Sequence, residues 1–88
     1  MKVYLLSDHG EDGSEDVVAT LDKSKVEGLA EKYFGRYGMD KPQYASGHPT
    51  MRETLRELLS RDIPRENRDG TDLCFGWGGP QLHIIELE

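Results

Sequence analysis

Hydrophobic positions early in the chain fall into two short runs followed by a helical stripe. Val3, Tyr4, Leu5 and Leu6 are β-branched, aromatic or aliphatic, and the polar, glycine-bearing stretch from Ser7 to Ser14 follows them. That pattern predicts a strand and then a loop. Val17, Val18 and Ala19 form a second apolar run, and a loop of this length with two glycines predicts an antiparallel hairpin. A helix is expected from Asp22, a good N-cap, with Leu21 and Val26 spaced as a hydrophobic staple and Ser24 with Glu27 as an alternative capping box. Val26, Leu29, Ala30, Tyr33, Phe34 and Tyr37 recur at helical spacing and form one stripe, while Glu27, Glu31, Lys32 and Arg36 lie outside it. Gly38 is the natural stop.

A loop from Met39 to Pro49, with Pro42 and Gly47 inside it, separates this half from the next without marking a domain boundary. Thr50-Met51-Arg52-Glu53 is a capping-box sequence, and Met51, Leu55, Leu58 and Leu59 supply a second apolar stripe to about Arg61. Pro64 cannot continue that helix, and Arg65 to Gly70 reads as a polar loop. Leu73, Phe75 and Trp77 alternate with Cys74 and Gly76, predicting a strand. After a Gly78-Gly79-Pro80 turn, Leu82 and Ile84, with Ile85 and Leu87 beyond them, predict a last strand on which His83 alternates outward. The predicted order is ββααββ, an α+β fold of two layers in one compact domain over residues 1–88. Its antiparallel sheet of about four strands carries both helices on one face, which leaves the other face open as a binding surface.

One cysteine, Cys74, excludes an internal disulfide. No apolar stretch approaches the roughly 20 residues of a membrane span or has the flanks of a signal peptide, so a cytoplasmic protein without a membrane partner is expected. The net charge of −6 is uneven along the chain. Residues 1–16 set Lys2 against Asp8, Glu11, Asp12, Glu15 and Asp16, a net −4, and residues 71–88 carry Asp72, Glu86 and Glu88 with no base, a net −3. Arg52, Arg56, Arg61, Arg65 and Arg68 fall on the second helix and its exit loop, so an electrically two-sided molecule is expected. An acidic cluster repels nucleic acid and attracts basic protein surfaces, including those that bind nucleic acid.

Three groups of residues invite chemistry. Asp8, Asp12 and Gly13 occupy the first, fifth and sixth places of a calcium-loop pattern, but the twelfth place is Ala19, where a bidentate Glu is needed. His9, His48 and His83 with Cys74 are zinc-ligand types at spacings that match no zinc motif. Cys74 with His83 and Asp72 could form a thiol dyad or triad, yet Cys74 has no helix N-terminus or glycine elbow to lower its pKa. No metal or cofactor is therefore assigned. Trp77, isolated in Gly76-Trp77-Gly78-Gly79-Pro80, suits an interface anchor or a cap on the core, and Tyr44 and His48 are weaker candidates of the same kind.

The Lys2-Val3-Tyr4-Leu5-Leu6 opening, the acidic loop, Val17-Val18-Ala19, the capped helix from Asp22 and the acidic Ile84-Ile85-Glu86-Leu87-Glu88 end together resemble small uncharacterised ββαβ proteins of phage and bacterial genomes. The chain departs from their pattern between Arg36 and Gly79, and the resemblance transfers no activity or catalytic residue. It implies a phage-type accessory protein. The expected function is that of a small acidic, non-enzymatic binding protein, an inhibitor or modulator that occludes a basic surface on a host protein such as a component of a defence system. Asp8, Glu11, Asp12, Glu15 and Asp16 would supply the attraction and Trp77 the anchor. Two alternatives stand beside it: a small metal-dependent or thiol enzyme using His9, Asp12, Cys74 and His83, and a self-associating domain whose open sheet face meets a second copy.

Overall fold

The structure, a computed structural model, describes residues 1–9, 15–41, 48–64, 70–73 and 79–87, with the backbone alone for His9 and Glu15. Its elements are β1 (Lys2–His9), β2 (Glu15–Thr20), α1 (Val26–Phe34), α2 (Met51–Arg61), β3 (Thr71–Asp72) and β4 (Gln81–Glu86), so the ββααββ order read from the sequence holds. The strands make one antiparallel sheet in the order β2-β1-β4-β3, which puts the first strand at its centre.

Alternation along β1 decides what each face carries. Tyr4, Leu6 and Asp8 point to the helical layer, where Leu6 lies between Val18 and Leu82, and Tyr4 between Thr20 and Ile84. Val3, Leu5 and Ser7 point the other way, beside Ala19 and Val17 on one flank and Ile85, His83 and Gln81 on the other. β1 runs through Ser7, Asp8 and His9, three polar residues beyond its apolar run, because pairing to Glu15–Val17 and to Gln81 continues there. The core joins Tyr4, Leu6, Leu82 and Ile84 from the sheet to Val26, Ala30 and Phe34 of α1 and Met51, Leu55 and Leu59 of α2.

The first helix is shorter than its hydrophobic stripe. Asp22 does cap, but what it caps is a 3-10 turn at Lys23–Lys25: its Oδ1 accepts from the Ser24 N–H at 3.0 Å and the Ser24 hydroxyl at 2.7 Å. A second 3-10 turn, Gly35–Tyr37, ends at Gly38 with φ 83°, a backbone that favours glycine. In α2 both halves of the capping box form: the Glu53 N–H donates to Thr50 Oγ1 at 3.1 Å, and the Thr50 N–H to Glu53 Oε1 at 3.0 Å.

α2 stops at Asp62, whose left-handed backbone (φ 51°, ψ 44°) lets its N–H reach the Leu58 carbonyl at 2.9 Å. That conformation is uncommon outside glycine, and here β1 holds it. The Tyr4 hydroxyl donates to Asp62 Oδ1 at 2.8 Å, and Lys2 Nζ to the Asp62 carbonyl at 3.0 Å. Burial alone would raise the Asp62 pKa, but hydrogen bonds from Tyr4 and Lys2 and the charges of Lys2 and Lys23 outweigh it and hold the carboxyl below its ordinary value. Burial, then the bond to Asp62, pushes the Tyr4 phenol up to about 12.

Two expectations are revised. Met39, read as loop, is buried in the core, with its carbonyl accepting from the Arg52 N–H at 2.9 Å. The described part of the third strand is β3 at Thr71–Asp72, ahead of the expected start at Leu73, which is buried in the core and donates its N–H to the Pro80 carbonyl at 3.0 Å. Residues 74–78, with Cys74 and Trp77, lie outside the described residues.

Candidate functional site

The sheet register gathers acidic side chains at one end. Asp8 stands directly opposite Asp16 across β1 and β2, and Asp72 of β3 pairs with Gln81, itself the partner of Ser7. The hairpin connection carrying Glu11 and Asp12 leaves from this end but lies outside the described residues, as does the side chain of Glu15.

Two like charges facing each other across a strand pair are destabilising unless something answers them. The turn after α1 supplies the answer. Arg36 Nη2 lies 2.6 Å from Asp8 Oδ2 and 3.7 Å from Asp16 Oδ2, and the Tyr37 hydroxyl donates to the same Asp8 oxygen at 2.7 Å. Arg36 is fixed in turn by its bond to the Tyr33 carbonyl at 2.6 Å and by stacking 4.9 Å from the centre of the Tyr37 ring. The hydrogen bond to the Asp8 carboxylate, then burial, raises the Tyr37 pKa.

This geometry splits the expected acidic group. Asp8 is 1% exposed, so its charge is spent inside the protein and it does not belong to an outward attracting surface. The sequence reading missed this because it placed Asp8 in the loop; strand alternation extended two residues past Leu6 sends it inward. Among the described residues Asp8 Oδ1 is buried without a hydrogen-bond partner, a cost that the charge-assisted bonds to Oδ2 offset. Asp16, by contrast, turns its side chain to solvent, 61% exposed.

The described arginines of α2 are met by carboxylates of the protein itself. Arg52 binds Asp40 at 2.8 Å, Glu31 at 3.1 Å and Glu27 at 3.3 Å, while Arg56 holds Glu27 and Arg61 meets Glu57 at 2.7 Å. The hydrogen bond from Arg56 keeps Glu27 below its ordinary pKa, and that from Arg52 does the same for Asp40. Arg52 and Arg56 therefore tie α2 to α1 and to the turn after it, while Arg61 pairs within α2. Arg65 and Arg68 lie outside the described residues.

On the opposite sheet face Ser7, 4% exposed, and His83 share a 2.9 Å hydrogen bond between Oγ and Nε2. His83 thus alternates outward as expected. A Cβ on Gly70 would stand 2.6 Å from Gln81 Oε1 and 2.7 Å from His83 Cε1, so only glycine lets the chain pass this close. Asp72 accepts from Gln81 Nε2 at 2.8 Å. Among the described residues no three His, Cys, Asp or Glu side chains come together as a metal site, and no helix is long and apolar enough to cross a membrane. A concavity of about 300 Å³ lies between the end of α2 and the sheet and is lined by Leu58, Arg61, Ile63, Thr71, Leu82 and Ile84, none of them an expected site residue.

Comparison with family models, with curated proteins and with solved structures finds no match for this chain.

Proposed function

We propose that this protein is a non-catalytic binding protein whose acidic hairpin end occludes a basic surface on another protein, in the manner of a small phage-type inhibitor or modulator. One observation carries the reading: the arginines of the helical layer are engaged by the protein's own carboxylates, whereas residues 10–16 hold Glu11, Asp12, Glu15 and Asp16 with no Lys or Arg. A chain of net charge −6 whose α2 arginines are engaged by its own carboxylates has an excess of carboxylate to present outward. Attraction of this kind speeds encounter with cationic partners and weakens with salt. Nucleic acid is repelled by the same field.

The test is affinity capture from bacterial lysate at low and at high salt, comparing wild type with a variant carrying Glu11→Lys, Asp12→Lys and Glu15→Lys. The expected result is a basic protein retained by wild type at low salt and lost with the variant or at high salt. Retention of every partner regardless of charge reversal and salt would overturn the reading.

A further inference from the structure

β2 is the outermost strand on one side of the sheet, and among the described residues nothing pairs with the edge it turns away from β1. An unpaired edge is a template for another extended chain, and proteins ordinarily blunt it with proline, lysine, a bulge or a covering loop. β2 reads Glu15-Asp16-Val17-Val18-Ala19-Thr20, six residues with no proline, glycine or lysine, and its pairing with β1 runs unbroken from Tyr4↔Thr20 to His9↔Glu15. It is also uncovered: Val17 is 54% exposed, and Asp16, Ala19 and the following Leu21 are exposed as well. On the helical side a recess of about 70 Å³ is bounded by Asp16, Val17, Val18, Tyr33 and Phe34, with Tyr33 44% exposed at its rim.

We infer that the free edge of β2 accepts an extended, lysine- or arginine-bearing polypeptide segment as a fifth strand, through main-chain hydrogen bonds. The inference rests on the acidic-binding reading and names its surface. Charge selects the occupant. Asp16 faces the helical side at the start of the strand, and its only described cation is Arg36 at 3.7 Å. A second copy would bring the same carboxylates and the same net charge of −6, whereas a cationic strand meets complementary charge. Alternation then sets the side-chain pattern of the guest. A basic residue lies opposite Asp16, an apolar residue two positions away lies opposite Val18 and covers the recess beside Tyr33, and the residue between them lies along Val17 on the other face.

The test follows amide exchange and chemical shifts of the labelled protein by NMR against three synthetic peptides as long as β2: alternating lysine and valine, alternating glutamate and valine, and the lysine peptide N-methylated at alternate positions. The expected result is slowing of exchange by roughly tenfold or more at those β2 amides that face away from β1, with the lysine peptide only. N-methylation removes main-chain donors and should weaken binding by about tenfold or more, since each bond contributes about 0.5–1.5 kcal/mol. Val17→Lys, a change at an exposed position, should weaken the lysine peptide similarly without loss of fold by circular dichroism. Equal binding of the N-methylated peptide, or protection confined to residues outside β2, would overturn the edge inference and leave the acidic-binding reading standing. Concentration-dependent protection of β2 without peptide would overturn it in favour of a second copy. Peptide-induced β2 protection together with salt-insensitive capture from lysate would uphold the edge and remove the electrostatic reading.

Discussion

Arg36 decides whether Asp8 can be buried. Without it, two carboxylates would face each other across β1 and β2, one of them enclosed. Arg36→Ala should therefore destabilise the protein by about 1–3 kcal/mol, because the buried Asp8 carboxylate would keep the Tyr37 hydroxyl but lose its charged partner. Asp8→Asn added to it should recover part of that loss, giving a non-additive double-mutant cycle by urea unfolding. Strict additivity would show that the two residues act independently. Arg36 falls off the apolar stripe of α1, and no spacing rule links it to a residue 28 positions earlier. This contact was therefore hidden from the sequence, although the inward parity of Asp8 was available from Tyr4 and Leu6.

At the scale of the elements, local chemistry was the most legible. Thr50 and Glu53 form the capping box that their spacing implied, and Thr50→Ala should cost about 1 kcal/mol, read as a lowered unfolding midpoint with the slope unchanged. An undiminished midpoint would mean that tertiary contacts alone hold the start of α2. Strand ends were less legible because pairing sets them: β1 extends through Ser7, Asp8 and His9 only because β2 and β4 lie alongside. Met39 belongs to no periodic segment, and its burial depends on the backbone bond it accepts from Arg52. Of the expected site, Asp8 and Asp16, both read as loop, sit in paired strands, Asp8 buried and Asp16 exposed, while Glu11, Asp12 and Trp77 fall outside the described residues.

For the molecule as a whole, titration should bound a plateau of stability. Glu27, Asp40 and Asp62 are held below their ordinary carboxyl values in the fold, so the unfolded chain takes up their protons first. Their contribution is present above about pH 5 and is lost as pH falls through the folded values. Tyr4 behaves oppositely: raised from 10.0 to about 12, it contributes fully below pH 10 and loses that contribution as pH rises towards 12. Urea midpoints across this range should fall at both ends, and Tyr4→Phe should shrink the alkaline fall while Tyr37 preserves the rest. A midpoint indifferent to pH would contradict the charge network.

The strand order has a consequence in time. β1 occupies the middle of the sheet, yet its second neighbour, β4, is separated from it by most of the chain, with Lys2 paired to Glu86. During synthesis the hairpin of β1 and β2 can close locally, while the other side of β1 waits for residues about 80 positions further along. Until then both edges of the hairpin are bare, and the face of Tyr4 and Leu6 is only half roofed. The arrival of Gln81–Glu86 withdraws the inner edge of β1 from competition, while the acidic outer strand β2 keeps its far edge unpaired among the described residues.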